Sequence, residues 1–346
     1  MNTQTVGVDN VSKKAELYEL LRQVCVELDI TETQYDQAKS AYDAVSEWLS
    51  ASDSVLFKDA TIYVHGSSAL NTITKPISGD EFDVDLICFF PALSKNVEAS
   101  FVKKLLGDRL REHERYAKIL EEKKRCWRLN YAGVFHADIA PTIPNAACTN
   151  EGELVPDKLA RDWKPTHPRG YRRLFDQRAA LRPRIKIAVA SEAYDFRAAI
   201  VPFPSPGGAR GVLRRTVQLL KRHRDISFEN VEADIKPISI IITTLAARSY
   251  EYVVNLRTYD TEFDVLLATV MLMPHFIERR VSNGKEQYVV ENETTTSPTG
   301  GTQSLSAQEH SLHGTNKHWR IFANWKCVPG LTRFRRLSSK CLGHDL

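Results

Sequence analysis

The sequence predicts an α+β protein in which a sheet-rich lobe is followed by a helical lobe. Apolar runs with the composition of strands fall mainly in the first half of the 346 residues, whereas runs with helical spacing dominate the second half. Apolar residues make up 42% of the chain and charged residues 26%, which are the proportions of a globular protein. Strands grouped before helices are typical of the α+β class.

The elements follow one another in a readable order. Two helices are predicted between about residues 13 and 49, where leucines and valines recur at helical spacing. Strands are predicted at 61–64, 82–90, 125–131 and 134–139, and Pro141 and Pro144 are expected to end the last one. Further helices are predicted at 97–120, 211–223, 237–250 and 263–276.

These elements divide the chain into four parts. Residues 1–50 form N-terminal helices that pack on the core, residues 51–205 form the sheet lobe, and residues 206–290 form the helical lobe. Residues 291–346 begin with a stretch rich in Ser, Thr, Gly and His and end with a basic stretch. Because the first of these stretches has no hydrophobic period, the sequence predicts a flexible or atypical tail.

The bulk properties bear on location and partners. No run of about 18 apolar residues occurs, so no membrane span is expected, and the N-terminus lacks the apolar region of a signal peptide. The six cysteines form no C-x-x-C pair, which indicates reduced thiols in the cytoplasm. A net charge of +4 is compatible with an anionic substrate and is weak support for one.

Two acidic residues interrupt the apolar strand FDVDLICFF. Asp83 and Asp85 are two residues apart, so on a strand they project from one face while Phe82, Val84 and Leu86 pack on the other. Carboxylates this close disfavour joint ionisation unless a cation lies between them, and Mg²⁺ prefers such oxygen ligands. Taken alone, the pair is also compatible with a solvated strand end.

A third acidic residue, Asp138, lies among apolar residues in the strand at 134–139. A neighbouring antiparallel strand would place it beside the first pair, and three carboxylates on adjacent strands make a two-metal site for an in-line displacement. We therefore predict Asp83, Asp85 and Asp138 as catalytic residues and as ligands of Mg²⁺ or Mn²⁺. Glu81 is expected to be solvated, and His136 to be a polar residue at a sheet edge.

The first strand is followed directly by His65-Gly66-Ser67-Ser68. Main-chain amides and a hydroxyl at such a strand end suit a triphosphate, and Gly66 lets a phosphate approach the backbone closely. A simple turn is the alternative for this segment by itself. The chain has no G-x-x-x-x-G-K-[ST] motif and is therefore not a P-loop protein.

In combination and in this order, the segments resemble the polymerase-β nucleotidyltransferase superfamily, and within it the bacterial cyclic-oligonucleotide synthases. HGSSALNTITKPISGDEFDVDLICFF carries most of the likeness, and HADIAPTIP is similar to the segment that holds the family's third carboxylate. VQLLKRHRDISFENVEADIKPISIIITTLAA resembles the helical lobe of these synthases. It implies that Lys221 and Ser239 join Gly66 and Ser67 in contacting the donor triphosphate. A solvated lysine and a helix-capping serine are the alternatives.

The resemblance implies a polymerase-β-like catalytic lobe at 51–205 that joins ATP or other nucleoside triphosphates into a cyclic di- or trinucleotide. It further implies a product-sensing effector protein in anti-phage defence and leaves room for a regulatory partner protein, with no membrane and no required nucleic acid. Two alternatives stay open: an enzyme that makes linear products, and a non-catalytic module that binds RNA or a partner. The likeness covers about residues 60–250, and a truncated or frame-shifted C-terminus is one hypothesis for the unlike tail.

Overall fold

The computed structural model describes residues 3–77, 81–157, 161–186, 210–229, 236–282, 285–296 and 302–306. Within these ranges the chain forms a sheet-rich lobe, a helical lobe and a small three-stranded sheet. This arrangement confirms the predicted α+β class.

A mixed sheet of seven strands forms the first lobe. The strands are β1 (Thr61–His65), β2 (Phe82–Phe89), β3 (Leu120–Glu122), β4 (Trp127–Tyr131), β5 (Phe135–Pro144), β6 (Glu153–Asp157) and β7 (Asp162–Thr166). Neighbours follow the order β1-β2-β5-β4-β3, and β6 and β7 pair beyond the end of β5. The four predicted strands are all present, and β3, β6 and β7 are additional.

Strand β5 runs in a different direction from the one expected. It pairs with β2 in parallel, in a register that sets Asp138 opposite Asp85, whereas the sequence analysis expected an antiparallel neighbour. Parallel strands need a long connection, and here that connection contains two helices and strands β3 and β4. The prediction that Asp138 lies beside the first pair therefore holds, but its assumed strand direction is wrong.

Strand β5 also continues through Pro141 and Pro144, which were expected to end it. Its partner β4 reaches only to Ile139, and the Thr142 carbonyl accepts a hydrogen bond from the Phe90 amide on the β2 side. Alternate residues of a strand face opposite edges, so Pro141 faces the edge that β4 has left. Its missing N–H therefore removes no hydrogen bond from the sheet.

Helices cover the sheet and build the second lobe. They are α1 (Thr3–Glu27), α2 (Glu32–Ser50), α3 (Val55–Lys58), α4 (Gly66–Ala69), α5 (Ala99–Arg111), α6 (Glu114–Ile119), α7 (Pro168–Ala180), α8 (Val212–Ser227), α9 (Ser239–Leu256) and α10 (Glu262–Leu272), which a 3₁₀ helix (Met273–Phe276) follows. The single helix predicted at 97–120 is two helices, because His113 caps α6 by accepting a hydrogen bond from the Tyr116 amide.

Each lobe has its own hydrophobic core. The first core joins the inner face of β2, β4 and β5 to α2 and α5, and fully buried members include Val45, Leu86 and Leu106. The second core joins α8, α9 and α10 and includes Tyr18 of α1. Burying one such aliphatic side chain contributes about 1.5–3 kcal/mol. The two N-terminal helices, predicted as one unit, therefore pack on different lobes.

A three-stranded antiparallel sheet follows the helical lobe. It consists of β8 (Glu278–Ser282), β9 (Lys285–Thr296) and β10 (Thr302–Ser306), in the order β10-β9-β8. Residues 291–296 and 302–306 of the predicted flexible or atypical tail thus lie in strands. The rest of that tail, and the predicted lobe boundary at 205–206, lie outside the described residues.

Two further expectations concern membranes and thiols. Among the described residues, no helix is long and apolar enough to cross a membrane. Cys25, Cys88, Cys126 and Cys148 carry free thiols. The remaining two cysteines lie outside the described residues.

Candidate active site

Strand β2 separates its polar and apolar side chains onto two faces. Phe82, Val84 and Leu86 are buried in the core of the sheet lobe. Asp83 and Asp85 alternate with them and face the other way, and the Asp83 side chain is 55% exposed. The alternation predicted from the sequence places both carboxylates on the open face of the sheet.

A single row of ionisable side chains crosses that open face. Adjacent strands set His65 opposite Asp85, Asp85 opposite Asp138, and Asp138 opposite Arg128. Residues opposite one another in a sheet project to the same side at close range. The structure therefore brings the three predicted carboxylates together on neighbouring strands.

Arg128 compensates the charge of two of these carboxylates. Its Nε and Nη2 each lie 2.7 Å from an oxygen of Asp138, and Nη2 lies 3.0 Å from Asp83. Sequence reasoning missed this residue. The signal was available, because Arg128 stands between Trp127 and Leu129, which are both buried, and must therefore face the opposite side of β4.

His136 makes a second contact to Asp83 and is itself held by Glu81. His136 Nδ1 lies 3.5 Å from Asp83 Oδ1, and His136 Nε2 pairs with Glu81, which also accepts a hydrogen bond from the Gly133 amide. The expectation of a solvated Glu81 is wrong, since its side chain is held by two partners. His136 is not at a sheet edge either, because β5 lies between β2 and β4.

Asp85 sits in the least compensated position of the row. Its burial, followed by the charges of Asp138 and Asp83, raises the pKa of Asp85 from 3.8 to about 7. Burial lowers the pKa of the neighbouring His65 to about 4, so this imidazole is neutral at pH 7 and provides no positive charge. The row thus has more carboxylate charge than its own cations balance.

This donor set fits a divalent cation. Within the described ranges, no group of three Asp, Glu, His or Cys side chains is arranged to hold a metal ion, and Arg128 pairs with two of the three acids. Asp83, Asp85 and Asp138 nevertheless offer hard oxygen ligands on adjacent strands, and a cation beside Asp85 would relieve its raised pKa. These three residues are the ones that would hold Mg²⁺ or Mn²⁺.

Gly66 is required where β1 turns into α4. Its φ is +63°, in the left-handed region that favours glycine. A Cβ built on Gly66 would collide with Oδ2 and Cγ of Asp85. The Gly66-Ser67 turn therefore lies directly against the carboxylate, which only a residue without a side chain permits.

A cleft of about 610 Å³ opens beside this turn, between the two lobes. The sheet lobe contributes Gly66, Ser67, Asp83 and Asp85 to its lining. The helical lobe contributes the following residues: Lys221, Arg224, Asp225, Phe228, Glu229, Lys236, Ser239, Ile240 and Thr243. All four predicted triphosphate-binding residues thus line one cleft, together with two of the three carboxylates.

Lys221 is a buried cation whose hydrogen bond goes to a neutral group. It is 6% exposed, and its Nζ donates to the Thr72 carbonyl at 2.8 Å. Burial is the main cause that lowers its pKa to about 8, because the charged form is poorly solvated there. The alternative of a solvated lysine is therefore wrong.

Ser239 begins α9 without capping it. The N-cap residue is Ile238, and the Ser239 hydroxyl accepts a hydrogen bond from Arg224 Nη1 at 2.8 Å. Arg224 also contacts Asp225, which accepts from Lys236 at 2.7 Å. Arg224 and Lys236 are cations of the cleft that the sequence analysis did not single out.

Two comparisons of sequence bear on this site. A family model described as the Second Messenger Oligonucleotide or Dinucleotide Synthetase domain (SMODS) matches residues 16–178. The chain is 32% identical over 240 residues to a c-di-GMP synthase of Roseivirga ehrenbergii, covering 69% of this chain and 62% of that protein. It is 26% identical over 235 residues to the cyclic dinucleotide synthase CdnG of Bradyrhizobium diazoefficiens, covering 63% and 55%. The chain spans less than two thirds of both relatives.

The fold is shared with solved structures of the same kind. The Bradyrhizobium diazoefficiens CD-NTase CdnG in complex with GTP superposes with a TM-score of 0.66 at 18% identity, covering 91% of both chains. The 3'-deoxy GTP bound form of Escherichia coli DncV gives a TM-score of 0.52 at 14% identity, covering 92% of this chain and 89% of that one. Domain match, relatives and fold agree that the chain is similar to bacterial cyclic dinucleotide synthases, and residues 16–178 match their second-messenger synthetase domain.

Proposed function

We propose that this protein is a divalent-cation-dependent nucleotidyltransferase that makes a cyclic di- or trinucleotide from nucleoside triphosphates. The observation that carries the proposal is the row in which Asp85 and Asp138 stand opposite each other, beside a cleft lined by Gly66, Ser67 and Lys221. Carboxylates for a cation and donors for phosphates thus meet at one place. A protein that only binds RNA or a partner has no need of both.

The chain's own residues supply binding and positioning. The Gly66-Ser67 turn and Lys221 contact the triphosphate, with Ser239 presented by Arg224, and their charges and dipoles fit its negative oxygens. A divalent cation held by Asp83, Asp85 and Asp138 would neutralise phosphate charge and stabilise the in-line displacement. Asp138, oriented by Arg128, accepts the proton of the attacking ribose hydroxyl as pyrophosphate leaves.

The relatives suggest substrates and partners. One relative is named a c-di-GMP synthase, and the CdnG structure holds GTP, so GTP and ATP are the nucleotides to test first. Escherichia coli CdnC is described in a complex with HORMA-deltaN at a TM-score of 0.51, which supports a regulatory partner protein. A cytoplasmic site of action, and a product that switches on an effector protein in anti-phage defence, complete the proposal.

The test is product formation from radiolabelled nucleotides. Purified protein is incubated with GTP, ATP, CTP and UTP, singly and in pairs, with Mg²⁺, with Mn²⁺ or with EDTA. We expect a phosphatase-resistant product whose mass is that of a cyclic di- or trinucleotide, formed only with a divalent cation. Phosphatase-sensitive products would support a linear product instead, and tight RNA retention without turnover would support a binding module.

The matched variants are two double substitutions of aspartate to asparagine. D83N/D85N removes both carboxylates of β2, and we expect it to lower the rate by at least about a hundredfold, the order expected when charge stabilisation of the transition state is lost. D43N/D108N removes two surface carboxylates on α2 and α5 and should leave the rate unchanged. Near-normal turnover by folded D83N/D85N would refute the assignment.

A further inference from the structure

Four side chains of α8 are hydrogen-bonded to main-chain carbonyls of one irregular segment, residues 70–75. The bonds run from Arg214 to Leu70 at 3.1 Å, from Gln218 to Ile73 at 2.9 Å, from Lys221 to Thr72 at 2.8 Å, and from Arg222 to Lys75. Positions 214, 218, 221 and 222 fall on one face of a helix. This face of α8 therefore binds the backbone of the 70–75 segment.

The 70–75 segment follows directly after the turn that is proposed to bind phosphate. It connects α4, which begins at Gly66, to strand β2. The Thr72 amide donates to the Ser67 carbonyl at 3.0 Å, while the Thr72 carbonyl accepts from Lys221. A single residue thus joins the two groups, Ser67 and Lys221, that are proposed to contact the triphosphate.

The contacts attach this segment to the helical lobe. Thr72 is 1% exposed and Ile73 9%, so water cannot freely satisfy their carbonyls, and buried carbonyls need such donors. The adjacent face of α8 packs in the second core through Leu213, Val217 and Leu220. The turn at Gly66 is therefore fixed on one side by the sheet and on the other by α8.

Lys221 differs from the other donors because the proposed function gives it another partner. Its ammonium group has three N–H donors, so it can bind a phosphate oxygen with one and keep the Thr72 carbonyl with another while the 70–75 segment stays in place. Gln218 and Arg222 hold the carbonyls that follow Thr72, at Ile73 and Lys75, and neither depends on the nucleotide. They keep the segment in place while Lys221 binds the phosphate.

We infer that Gln218 and Arg222 are positioning residues for the nucleotide: they fix the 70–75 segment so that Ser67 and Lys221 present their donors to the triphosphate together. This inference rests on the proposed function. Because the turn contacts the phosphates before and during reaction, its misplacement removes binding from both states. Such a loss raises KM more than it lowers kcat.

The test uses three single variants of α8 in the full chain. R222Q removes the donor to Lys75 and R222K retains a shorter donor. Q218M removes the donor to Ile73 and also the hydrogen bond from Gln218 to Asp29. The matched control is R215Q, since Arg215 lies on the same helix but hydrogen-bonds Tyr18 of α1. Each variant is first checked for its melting temperature. KM and kcat are then measured with GTP, or with ATP if that is the nucleotide used.

We expect KM to rise about tenfold in R222Q and Q218M with kcat within about threefold of wild type, and R222K to recover most of the loss. Hydrogen exchange without nucleotide should show faster exchange of the 70–75 amides in R222Q than in R215Q. Equal KM values and equal exchange in R222Q and R215Q would overturn the inference. A wild-type protein without turnover would refute the proposed function instead, while the exchange comparison still tests the restraint.

Discussion

At the residue scale, Gly66 is a position where the backbone lies directly against the side chain of Asp85, a proposed cation ligand. Both Gly66, with a φ of +63°, and Gly133, with a φ of +78°, have left-handed backbone. A Cβ on Gly133, however, would have nothing within 4 Å. The two glycines therefore separate the backbone requirement from the contact with Asp85. Both substitutions by alanine carry the left-handed cost of about 1–2 kcal/mol.

We expect G66A to lower the rate by at least about a hundredfold, because the added methyl group displaces Asp85. G133A should lose a similar free energy of unfolding and retain most of its rate. Urea unfolding and steady-state kinetics on both variants check this prediction. Equal losses of rate would show that backbone strain alone, rather than the contact with Asp85, controls activity.

The raised pKa of Asp85 predicts that the stability of the metal-free protein depends on pH. The unfolded chain releases its proton near pH 4, and the folded protein releases it near pH 7. The folded state therefore holds more protons between these values, so this residue makes the free energy of unfolding fall as pH rises from about 4 to 7. Divalent cation should cancel the fall by stabilising the carboxylate.

The measurement is urea unfolding of wild type and D85N in EDTA at several pH values. We expect the free energy of unfolding of D85N to increase relative to that of wild type as the pH rises from 4.5 to 8. D43N, which alters an exposed residue of α2, controls for the change in net charge. A D85N difference that stays constant across this range would contradict the prediction.

Much of the site could be predicted at this scale, and what was missed has a physical reason. Asp83 and Asp85 were found because strand alternation is local and needs no knowledge of neighbours. The face that Arg128 occupies could have been predicted from the alternation along β4, but its pairing with Asp138 and Asp83 on other strands could not. Glu81 was expected to be solvated because its partners, Gly133 and His136, lie far along the chain. The assignment of all seven predicted residues to metal or triphosphate remains a prediction, although six of them line one cleft and the seventh, Asp138, stands opposite Asp85.

At the scale of elements, β5 shows where sequence patterns mislead. Prolines usually end strands, yet Pro141 follows the last residue that pairs with β4, so the strand changes partner there and continues towards β6. The direction of β5 also could not be predicted from the sequence, because the alternation of side chains is the same in parallel and antiparallel strands.

Arg178 on α7 joins three elements, because its ion pairs reach α9 and β9. It is 8% exposed, and it pairs with Glu251 and Glu293, each at 2.7 Å. We expect R178Q to lower the free energy of unfolding by about 2 kcal/mol, below the 3–5 kcal/mol of a fully buried pair because both glutamates are partly exposed.

The control for R178Q is R172Q on the same helix. Arg172 reaches Asp176 at 3.5 Å and both are partly exposed, so its loss should cost less than about 1 kcal/mol. Urea unfolding measures both variants. A smaller loss in R178Q than in R172Q would show that β9 is not held to the helices through this arginine.

At the scale of the whole molecule, the cleft between two separately packed lobes predicts stabilisation by ligand. A nucleotide that contacts both Ser67 and Lys221 binds only the folded state, and at a hundred times its Kd it adds about 2.7 kcal/mol. We expect GTP with Mg²⁺ to raise the melting temperature by several degrees. K221M should lose most of this shift, whereas an equal shift in both proteins would contradict a role for Lys221.

The general architecture could be predicted because strands and helices are grouped along the chain and each group has a clear period. The small sheet β8 to β10 could not, since residues 291–296 are polar and the packing of β9 against α7 and α9 leaves no sign in the sequence. Tertiary contacts here override local composition.

The parallel pairing of β2 with β5 affects the protein while it is being synthesised. A nascent chain cannot bring positions 85 and 138 together until β5 has left the ribosome, because parallel strands require the intervening connection to be complete. Lys221 follows later still. Polypeptides that end before α8 therefore lack the helical-lobe half of the cleft, and under the proposed function nucleotide consumption is confined to molecules whose translation has passed α8.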